Sequence, residues 1–292
     1  MVKVVRRIMM NLKLLLKRII RPVRYSANVI SWKREFNALK KRKVDEQKRT
    51  FGVPDGKTLV IVPHADDEIF GAYGFIRGNP ETELFFMGFT GSNSDVSNKL
   101  IRDREFISSA NAMKRRFYFA DHIALSDILN TNKYKNILCP SIIDWHEEHR
   151  LCNKLLLEGL KQATSCNSSI YWYDVTVPIM ALHDTIYIPM SKEVQKDKYN
   201  LFKQIYKSQS FMPAERFALQ ERVNALGTNH YSCEIICMIT LNDLKKYVSR
   251  LYGEQSDQVM ILRLNDLKKY ISRIRKIREE SKRLYSKLEN ME

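Results

Sequence analysis

The chain has 292 residues, enough for one sizeable α/β domain with appendages or for two small domains. Its apolar content of 44% and aromatic content of 10% are typical of a globular protein and exclude a disordered chain. The formal net charge of +16 lies at the two ends, because residues 1–50 carry +13, residues 241–292 carry +5 and residues 51–240 carry −2. We therefore predict a near-neutral central domain with two basic flanks.

Cysteine usage and hydropathy restrict the class of protein further. The five cysteines are Cys139, Cys152, Cys166, Cys233 and Cys237. Their odd number and the lack of a C-x-x-C pair indicate reduced thiols in a cytoplasmic protein, not a disulfide framework or a zinc knuckle. No apolar run approaches the ~18 residues of a membrane span. Lys13, Lys17 and Arg18 interrupt the N-terminal apolar stretch, so it does not resemble a signal peptide.

Residues 1–24 have the spacing of an amphipathic helix with an aliphatic face and a basic face. The aliphatic face contains Val4, Val5, Ile8, Met9, Leu12, Leu15, Leu16, Ile19 and Ile20, and Pro22 closes the pattern. This pattern favours a helix lying in an anionic membrane interface, at the inner face of a membrane. A helix packing on its own domain is the alternative. Nucleic-acid binding is disfavoured, because the contact face is aliphatic.

A second basic segment follows and ends in the charge cluster Lys40–Lys43. Its apolar side contains Val29, Ile30, Trp32, Phe36 and Leu39. We assign residues 1–56 as a whole to a basic amphipathic helical extension.

The stretch Thr58–Phe70 joins a buried strand to a cluster of ionisable side chains. Leu59–Val62 has the length and β-branching of a buried strand, and Pro63 ends it. The residues that follow include His64, Asp66, Asp67 and Glu68. Charged groups at the end of a buried strand destabilise the fold unless a metal or a substrate uses them. The cluster therefore predicts a functional site, with capping of the next helix as the alternative.

From Lys57 onward, predicted strands alternate with predicted helices. The further strands are Glu83–Phe89, Arg116–Ala120, Asn136–Pro140, Ile170–Val177 and Tyr231–Ile239, and the helices are Lys99–Met113, His146–Gln162 and Lys192–Ser208. This alternation implies parallel pairing, and so an α/β three-layer sandwich with a mostly parallel, Rossmann-like sheet over residues 57–240. Function in such sheets collects at the carboxyl ends of the strands.

Residues 241–292 are predicted to form a charged helical C-terminal extension that contains a short duplication. Residues 241–250 (LNDLKKYVSR) recur as residues 264–273 (LNDLKKYISR). Two copies are too few for a solenoid. A partner helix, self-association through this helix, and folding back onto the N-terminal helices all stay open.

A second group of ionisable residues, WHEEH, occupies residues 145–149 and opens the helix after the strand at Asn136–Pro140. His146 and His149 are three residues apart, so they share one helix face. This is not the metalloprotease motif, whose histidines are four residues apart. The pair could face His64 and Asp67 across the carboxyl edge of the sheet.

Together, P-H-A-D-D-E after an apolar strand and H-x-x-H opening a later helix resemble the PIG-L/LmbE-like family of zinc-dependent N-acetylglucosaminyl deacetylases. The similarity extends to Arg102-x-x-Glu105, to Lys207-Ser208-Gln209, and to the series Arg222, Gly227, Tyr231 and Glu234. It covers about Lys57 to Thr240 and neither tail.

The resemblance implies a hydrolase that removes the N-acetyl group from an amino sugar of the N-acetylglucosamine type. It assigns metal binding to His64, Asp67 and His149, the general base to Asp66, oxyanion stabilisation by a histidinium to His146, and substrate binding to Arg102. Two imidazoles and a carboxylate leave open positions, as a catalytic zinc site requires. The same set also suits Fe²⁺ or another divalent metal. A lipid-linked substrate in glycan biosynthesis would account for the N-terminal helix.

The chain departs from the family pattern at three places. Ala65 replaces a usual proline, Glu147-Glu148 replace Pro-Asp in the second motif, and Thr90-Gly91 lack the usual polar residue between them. A further substrate-side acid is either Asp121 or Asp127. Two alternatives stay open. One is an amidase acting on a sugar–thiol conjugate, and the other is a membrane-associated scaffold with a decayed enzyme domain.

Overall fold

The computed structural model describes residues 23, 25–42, 49–91, 95–163, 167–179, 184–253 and 274–289. Its strands are β1 (Thr50–Phe51), β2 (Thr58–Val62), β3 (Thr82–Phe86), β4 (Phe117–Phe119), β5 (Asn136–Pro140), β6 (Ser169–Tyr173), β7 (Thr185–Met190) and β8 (Ser232–Ile239). Its helices are α1 (residues 25–40), α2 (Asp67–Gly78), α3 (Val96–Ala112), α4 (Leu125–Thr131), α5 (Glu147–Gln162), α6 (Lys192–Ile205), α7 (Ala214–Asn224), α8 (Leu241–Tyr252) and α9 (Ile274–Glu289).

The strands form one mixed sheet in the order β1-β7-β8-β6-β5-β2-β3-β4. Neighbouring strands are parallel except around β8, which runs antiparallel to both β6 and β7. The central β5-β2-β3 part is parallel and buried on both faces, so its strands are continuous apolar runs. The predicted α/β architecture with a mostly parallel sheet is confirmed.

Alternate side chains of β2 enter two separate cores, one on each face of the sheet. Leu59 and Ile61 pack in the core that α4, α5, α8 and α9 cover. Val60 and Val62 pack in the core that α2, α3, α6 and α7 cover. Successive strand residues point to opposite faces, so this division shows a helix layer on each side of the sheet. These are the three layers that the sequence predicted.

Helix α1 packs against the domain. Trp32 and Phe36, with exposed fractions of 1% and 6%, form a third apolar cluster with Leu219 and Val223 of α7. For residues 25–40 the structure therefore supports the packing alternative over a membrane-facing one. The aliphatic face predicted for residues 1–22 lies outside the described residues. Within the described part of the chain, no helix is long and apolar enough to cross a membrane.

Helices α8 and α9, within the predicted C-terminal extension, pack on the sheet. Leu244 of α8 and Leu284 of α9 belong to the same core as Leu59. The second copy of the duplication, residues 264–273, lies outside the described residues. The domain boundaries at residues 56 and 240 stay predictions.

We expect Trp32→Ala to lower the free energy of unfolding by about 3–5 kcal/mol, because it empties the centre of the contact between α1 and α7. Urea denaturation measures the change. Ile30→Ala is the matched control on the same helix, since Ile30 is 52% exposed. Equal unfolding midpoints for the two variants would show that α1 does not pack as described.

Candidate metal centre and active site

Strand pairing brings the two sequence motifs together. Strands β2 and β5 are parallel neighbours, with Val60 opposite Leu138. The segments that follow them therefore leave the sheet at the same edge, and each leads into a helix, α2 or α5. The first segment carries His64, and the second carries His146. This is the juxtaposition that the strand-end positions predicted.

The three predicted metal ligands meet at one point. His64 Nδ1 lies 3.1 Å from Asp67 Oδ2, His149 Nε2 lies 3.1 Å from the same oxygen, and the two nitrogens are 3.0 Å apart. Zinc bonds of 2.0–2.1 Å in a tetrahedral arrangement would put such atoms about 3.3 Å apart. The three residues are 2–6% exposed, so the triangle of donor atoms is buried. These residues fit one metal ion, with a side left for further ligands.

A carboxylate stands behind each histidine of the triangle. Glu148 Oε2 accepts a hydrogen bond from His64 Nε2 at 2.6 Å, which leaves Nδ1 free to face the triangle. Asp144 Oδ1 lies 3.4 Å from His149 Nδ1, an ion-pair contact without good hydrogen-bond alignment. A hydrogen-bonded carboxylate fixes the orientation and tautomer of a metal-binding histidine, as Glu148 does for His64, whereas Asp144 attracts the His149 ring by its charge. Glu148, one of the departures from the family pattern, thus contacts a proposed ligand.

Asp144 contacts a proposed metal ligand, and the sequence analysis did not identify it. It is fully buried, and it accepts hydrogen bonds from the backbone N–H groups of His146 and Thr176 and from the Thr176 hydroxyl. Burial alone would raise its pKa, but attraction to His149 and these hydrogen bonds lower it. The available signal was an acid between the end of β5 and the H-x-x-H motif.

The pKa values of Asp67 and His149 show the strength of their pairing. Burial raises the pKa of Asp67, yet the two adjacent histidines outweigh this effect and lower it. Burial lowers the pKa of His149, but attraction to Asp67 and Asp144 raises it to about 10. Without a metal, His149 is therefore an imidazolium at neutral pH. A proton then supplies the positive charge that the cluster of lone pairs needs.

His146 lies beside the triangle. Its ring centroid is 4.3 Å from that of His64 and 5.2 Å from that of His149. The nitrogens of these three histidines are close enough to form a metal-binding group by themselves. We favour Asp67 as the third ligand, because its oxygen is at 3.1 Å from both other ligand atoms. Burial and the neighbouring histidines lower the pKa of His146 to about 4, so the histidinium expected from the sequence is not favoured here.

Asp66 is held next to the triangle in an unusual backbone conformation. Its φ angle is 122°, a region that non-glycine residues rarely adopt, and it immediately precedes α2. Its N–H donates to Glu68 Oε2 at 3.2 Å, and Glu68 is in turn held by Ser109 and Tyr206. Burial and the nearby charges of Asp67 and Glu68 raise the pKa of Asp66 well above its usual range. A carboxylate in this environment readily accepts a proton.

Burial also raises the pKa of Glu68 to about 7, although its hydrogen bonds with Ser109 and Tyr206 oppose the shift. Its oxygens contact these neighbours and the backbone of Asp66. The structure therefore gives Glu68 a positioning role.

Two further parts of the family pattern, Arg102-x-x-Glu105 and Ser208-Gln209, contact each other. With the Gln209 amide oriented so that its oxygen faces Arg102, that oxygen accepts hydrogen bonds from the guanidinium at 2.9 and 3.0 Å. Glu105, one turn further along α3, accepts from the N–H of Ser208 at 2.8 Å and from its hydroxyl at 2.5 Å. The positive charge of Arg102 acts on Asp66 and opposes the rise of its pKa. Arg102 is therefore at the site, and its direction is set by the Ser208-Gln209 segment.

Gly91, in the segment after β3, lies close to His146 beside the metal triangle. Its φ of +66° is accessible to glycine at no steric cost, and a Cβ there would lie 3.6 Å from His146 Nε2. Gly91 therefore borders the site at His146.

The candidate substrate-side acids Asp121 and Asp127, and Arg222 of the family pattern, lie outside the cluster around the triangle. Asp121 is exposed and pairs with Lys99 at 2.9 Å, and Asp127 lies exposed in the first turn of α4. Arg222 lies over the rings of Phe36 and Tyr231. Neither acid contacts the triangle in the described contacts, and the choice between them as substrate-side acid stays open.

Comparison with known proteins gives matches in structure. No family model and no curated protein matches the chain. A deacetylase of the teicoplanin biosynthesis pathway matches with a TM-score of 0.52 and 12% identity, over 63% of this chain and 98% of that chain. The zinc-inhibited form of teicoplanin deacetylase matches with a TM-score of 0.51 and 12% identity, over 63% of this chain and 98% of that chain. GalB, the 4-carboxy-2-hydroxymuconate hydratase of Pseudomonas putida KT2440, matches with a TM-score of 0.50 and 17% identity, over 63% of this chain and 97% of that chain.

At these identities the likeness shows the fold. The fold is shared with the teicoplanin deacetylase structures, in agreement with the resemblance that the sequence motifs indicated. The same fold also occurs in a hydratase, so the reaction must be argued from the site.

We expect the protein to bind one Zn²⁺ with release of a proton, because the metal replaces the proton on His149. Below pH 10, the raised pKa of His149 makes zinc affinity rise about tenfold per pH unit. Calorimetry in buffers of different ionisation enthalpy counts the released protons. His149→Ala should abolish the binding, while His122→Ala, an exposed histidine, should leave it unchanged. Stoichiometric zinc in the His149→Ala variant would contradict the assignment.

Proposed function

We propose that the protein is a metal-dependent deacetylase of the PIG-L/LmbE type that acts on an N-acetylated amino sugar. The observation that carries the proposal is the triangle of His64 Nδ1, Asp67 Oδ2 and His149 Nε2, with sides of 3.0–3.1 Å. Two imidazoles and one carboxylate are a donor set for a catalytic zinc ion, and they also suit Fe²⁺. When bound, the ion would supply Lewis acidity toward the acetamide carbonyl and toward water.

Asp66 is proposed as the general base and then the general acid. Its raised pKa favours uptake of the proton from the attacking water, and the same proton can then be delivered to the leaving amine. The backbone at φ 122° and the hydrogen bond from its N–H to Glu68 hold the residue outside the metal-binding set. Asp67 and Asp66, although adjacent in sequence, thus take separate tasks.

His146 is proposed to stabilise the developing oxyanion as a neutral imidazole. Its pKa of about 4 leaves it uncharged at neutral pH, where one ring nitrogen still carries a proton to donate. A neutral donor in a partly buried site can stabilise an oxyanion, because the lower local dielectric strengthens the hydrogen bond. This modifies the role expected from the sequence, in which the same residue acted as a histidinium.

Arg102 is proposed to bind a hydroxyl or an anionic group of the substrate. The Gln209 amide oxygen accepts hydrogen bonds from the guanidinium of Arg102, and these contacts fix the direction of the group. A guanidinium offers five donors, so groups remain for a ligand after this contact. An amino sugar carries several hydroxyls that match such donors, and the solved deacetylases of this fold support an acetamide substrate.

Asp66→Asn should reduce the rate of acetate release from N-acetylglucosamine derivatives by about 10²–10⁴-fold, because the amide cannot take up a proton. Asparagine tolerates positive φ, so the fold and the zinc content should be retained. Glu147→Gln, an exposed neighbour of His146, is the control and should keep full activity.

A substrate panel defines the reaction. It should contain acetylated amino sugars, sugar–thiol amide conjugates and an enol-acid substrate for hydratase chemistry. Turnover of the thiol conjugates alone, or hydration without acetate release, would overturn the proposed deacetylase. A protein that binds no metal and turns over nothing would favour the scaffold alternative.

The substrate is proposed to be carried by a membrane lipid, on the motivation of the aliphatic and basic pattern of residues 1–22. Because α1 packs on α7, the informative truncation removes residues 1–22 and spares α1. It should reduce sedimentation with anionic vesicles while activity on a water-soluble analogue is retained.

Gln substitution of Lys33 and Arg34, on the exposed side of α1, is the control for general electrostatic attraction. Equal vesicle binding by the truncated and full-length proteins would contradict the membrane proposal and leave the deacetylase intact.

A further inference from the structure

Helix α9 buries two polar side chains against the domain. Ser281 is fully buried and Tyr285 is 3% exposed, and both lie on the face that carries Ile277 and Leu284 into the core. A buried hydroxyl destabilises a fold unless it is hydrogen-bonded. The partners of these two hydroxyls therefore show what the helix does beyond apolar packing.

The Tyr285 hydroxyl reaches the segment between β5 and α5. It is 2.7 Å from the Ser141 hydroxyl, in a contact that is buried on both sides. Ser141 is the first residue after β5, and its carbonyl accepts a hydrogen bond from the N–H of Asp144 at 3.0 Å. Tyr285 thus holds the turn that presents Asp144 to His149.

The Ser281 hydroxyl reaches the segment after β6. It donates to the carbonyl oxygen of Pro178. Two residues earlier, Thr176 donates to Asp144 through its N–H at 3.1 Å and through its hydroxyl at 2.7 Å. Ser281 therefore holds the second segment that contacts Asp144.

A further contact of α9, made by the ring of Tyr285, connects through two side chains to the backbone of His149. The ring of Tyr285 lies 6.3 Å from that of Trp172, whose indole N–H donates to Asn153 Oδ1 at 2.7 Å. The Asn153 amide donates in turn to the carbonyls of Pro140 and His149. The first turn of α5 is therefore supported from the side on which α9 packs.

We propose that α9 is a positioning element of the metal centre. Its two buried hydroxyls hold the segment after β5 and the segment after β6, and both segments donate hydrogen bonds to Asp144 or accept one from it. Asp144 in turn orients the His149 ring toward the triangle. The inference rests on the proposed function in one respect, namely that His149 binds the metal. It gives the C-terminal region a role within the active site, in place of the partner-binding or self-associating role that its sequence pattern left open.

The test is the zinc affinity of the double variant Ser281→Ala/Tyr285→Phe, measured in the full-length protein by competition with a chromophoric chelator. Loss of outer partners of metal ligands typically lowers metal affinity 10–100-fold. Because these hydroxyls act one contact further out, we expect a loss of about tenfold, and a smaller loss for each single substitution. Asp144→Asn, which acts directly on His149, should lose at least as much.

Two control variants separate positioning from general destabilisation. Ser286→Ala removes an exposed hydroxyl from the same helix. Tyr134→Phe removes the hydroxyl of a buried tyrosine that donates to Glu83 at 2.5 Å. Tyr134 precedes β5, so it lies at the amino ends of the strands, away from the metal centre. Both should bind zinc as the unmodified protein does, and the melting temperatures of the metal-free proteins show how much stability each change removes.

Equal zinc affinity in the double variant and the unmodified protein would overturn the positioning role and leave the proposed function standing. An equal loss in Tyr134→Phe would also overturn it, because destabilisation alone would then account for the effect. If the unmodified protein bound no zinc, the proposed function would fail and this inference with it. Weaker binding confined to the α9 and Asp144 variants supports the proposal.

Discussion

The rest of the site depends on one unfavourable contact, the approach of three electron-rich atoms to 3.0–3.1 Å of one another. His64 Nδ1, Asp67 Oδ2 and His149 Nε2 all need a positive charge between them, and burial removes the water that would otherwise screen them. In the metal-free protein a proton on His149 supplies that charge, which is why its pKa is about 10. A divalent cation meets the same need more fully, so the arrangement that holds the proton also prepares the metal site.

Helix α2 must hold Asp67 in place against this crowding, and a buried charge network anchors it. Lys198, which is fully buried, donates to the carbonyl of Phe70 at 3.1 Å and to Glu234 at 2.7 Å. Glu234 accepts from the N–H groups of Gly74 and Phe75 at 2.8 and 3.2 Å. A Cβ at Gly74 would lie 2.9 Å from that carboxylate, so the approach requires glycine. Glu234, which the sequence matched to the end of the family pattern, therefore anchors the helix that carries the site.

The sequence predicted the parts of the site that depend on strand ends, and missed the parts that depend on tertiary contacts. His64 and His149 follow apolar runs that read as buried strands, and parallel pairing then brings them to one edge. Asp144 lies in an irregular segment, and its role depends on Thr176, a residue after another strand, so no local spacing could indicate it. Strand β7 was missed for a similar reason. It pairs antiparallel with β8, and the alternation of strands and helices predicts only parallel pairing.

A shared fold constrains the metal centre more than the reaction, since deacetylase and hydratase structures both match this chain. The metal triangle alone would serve either chemistry, because both need activated water. What distinguishes amide hydrolysis is a carboxylate able to carry a proton from water to an amine, together with a donor placed for the oxyanion. Asp66 has the raised pKa for the first task, and His146, beside His64, has the position for the second. The triangle therefore carries the proposed metal dependence, and the preference for a deacetylase over a hydratase depends on these two residues outside the metal-binding set.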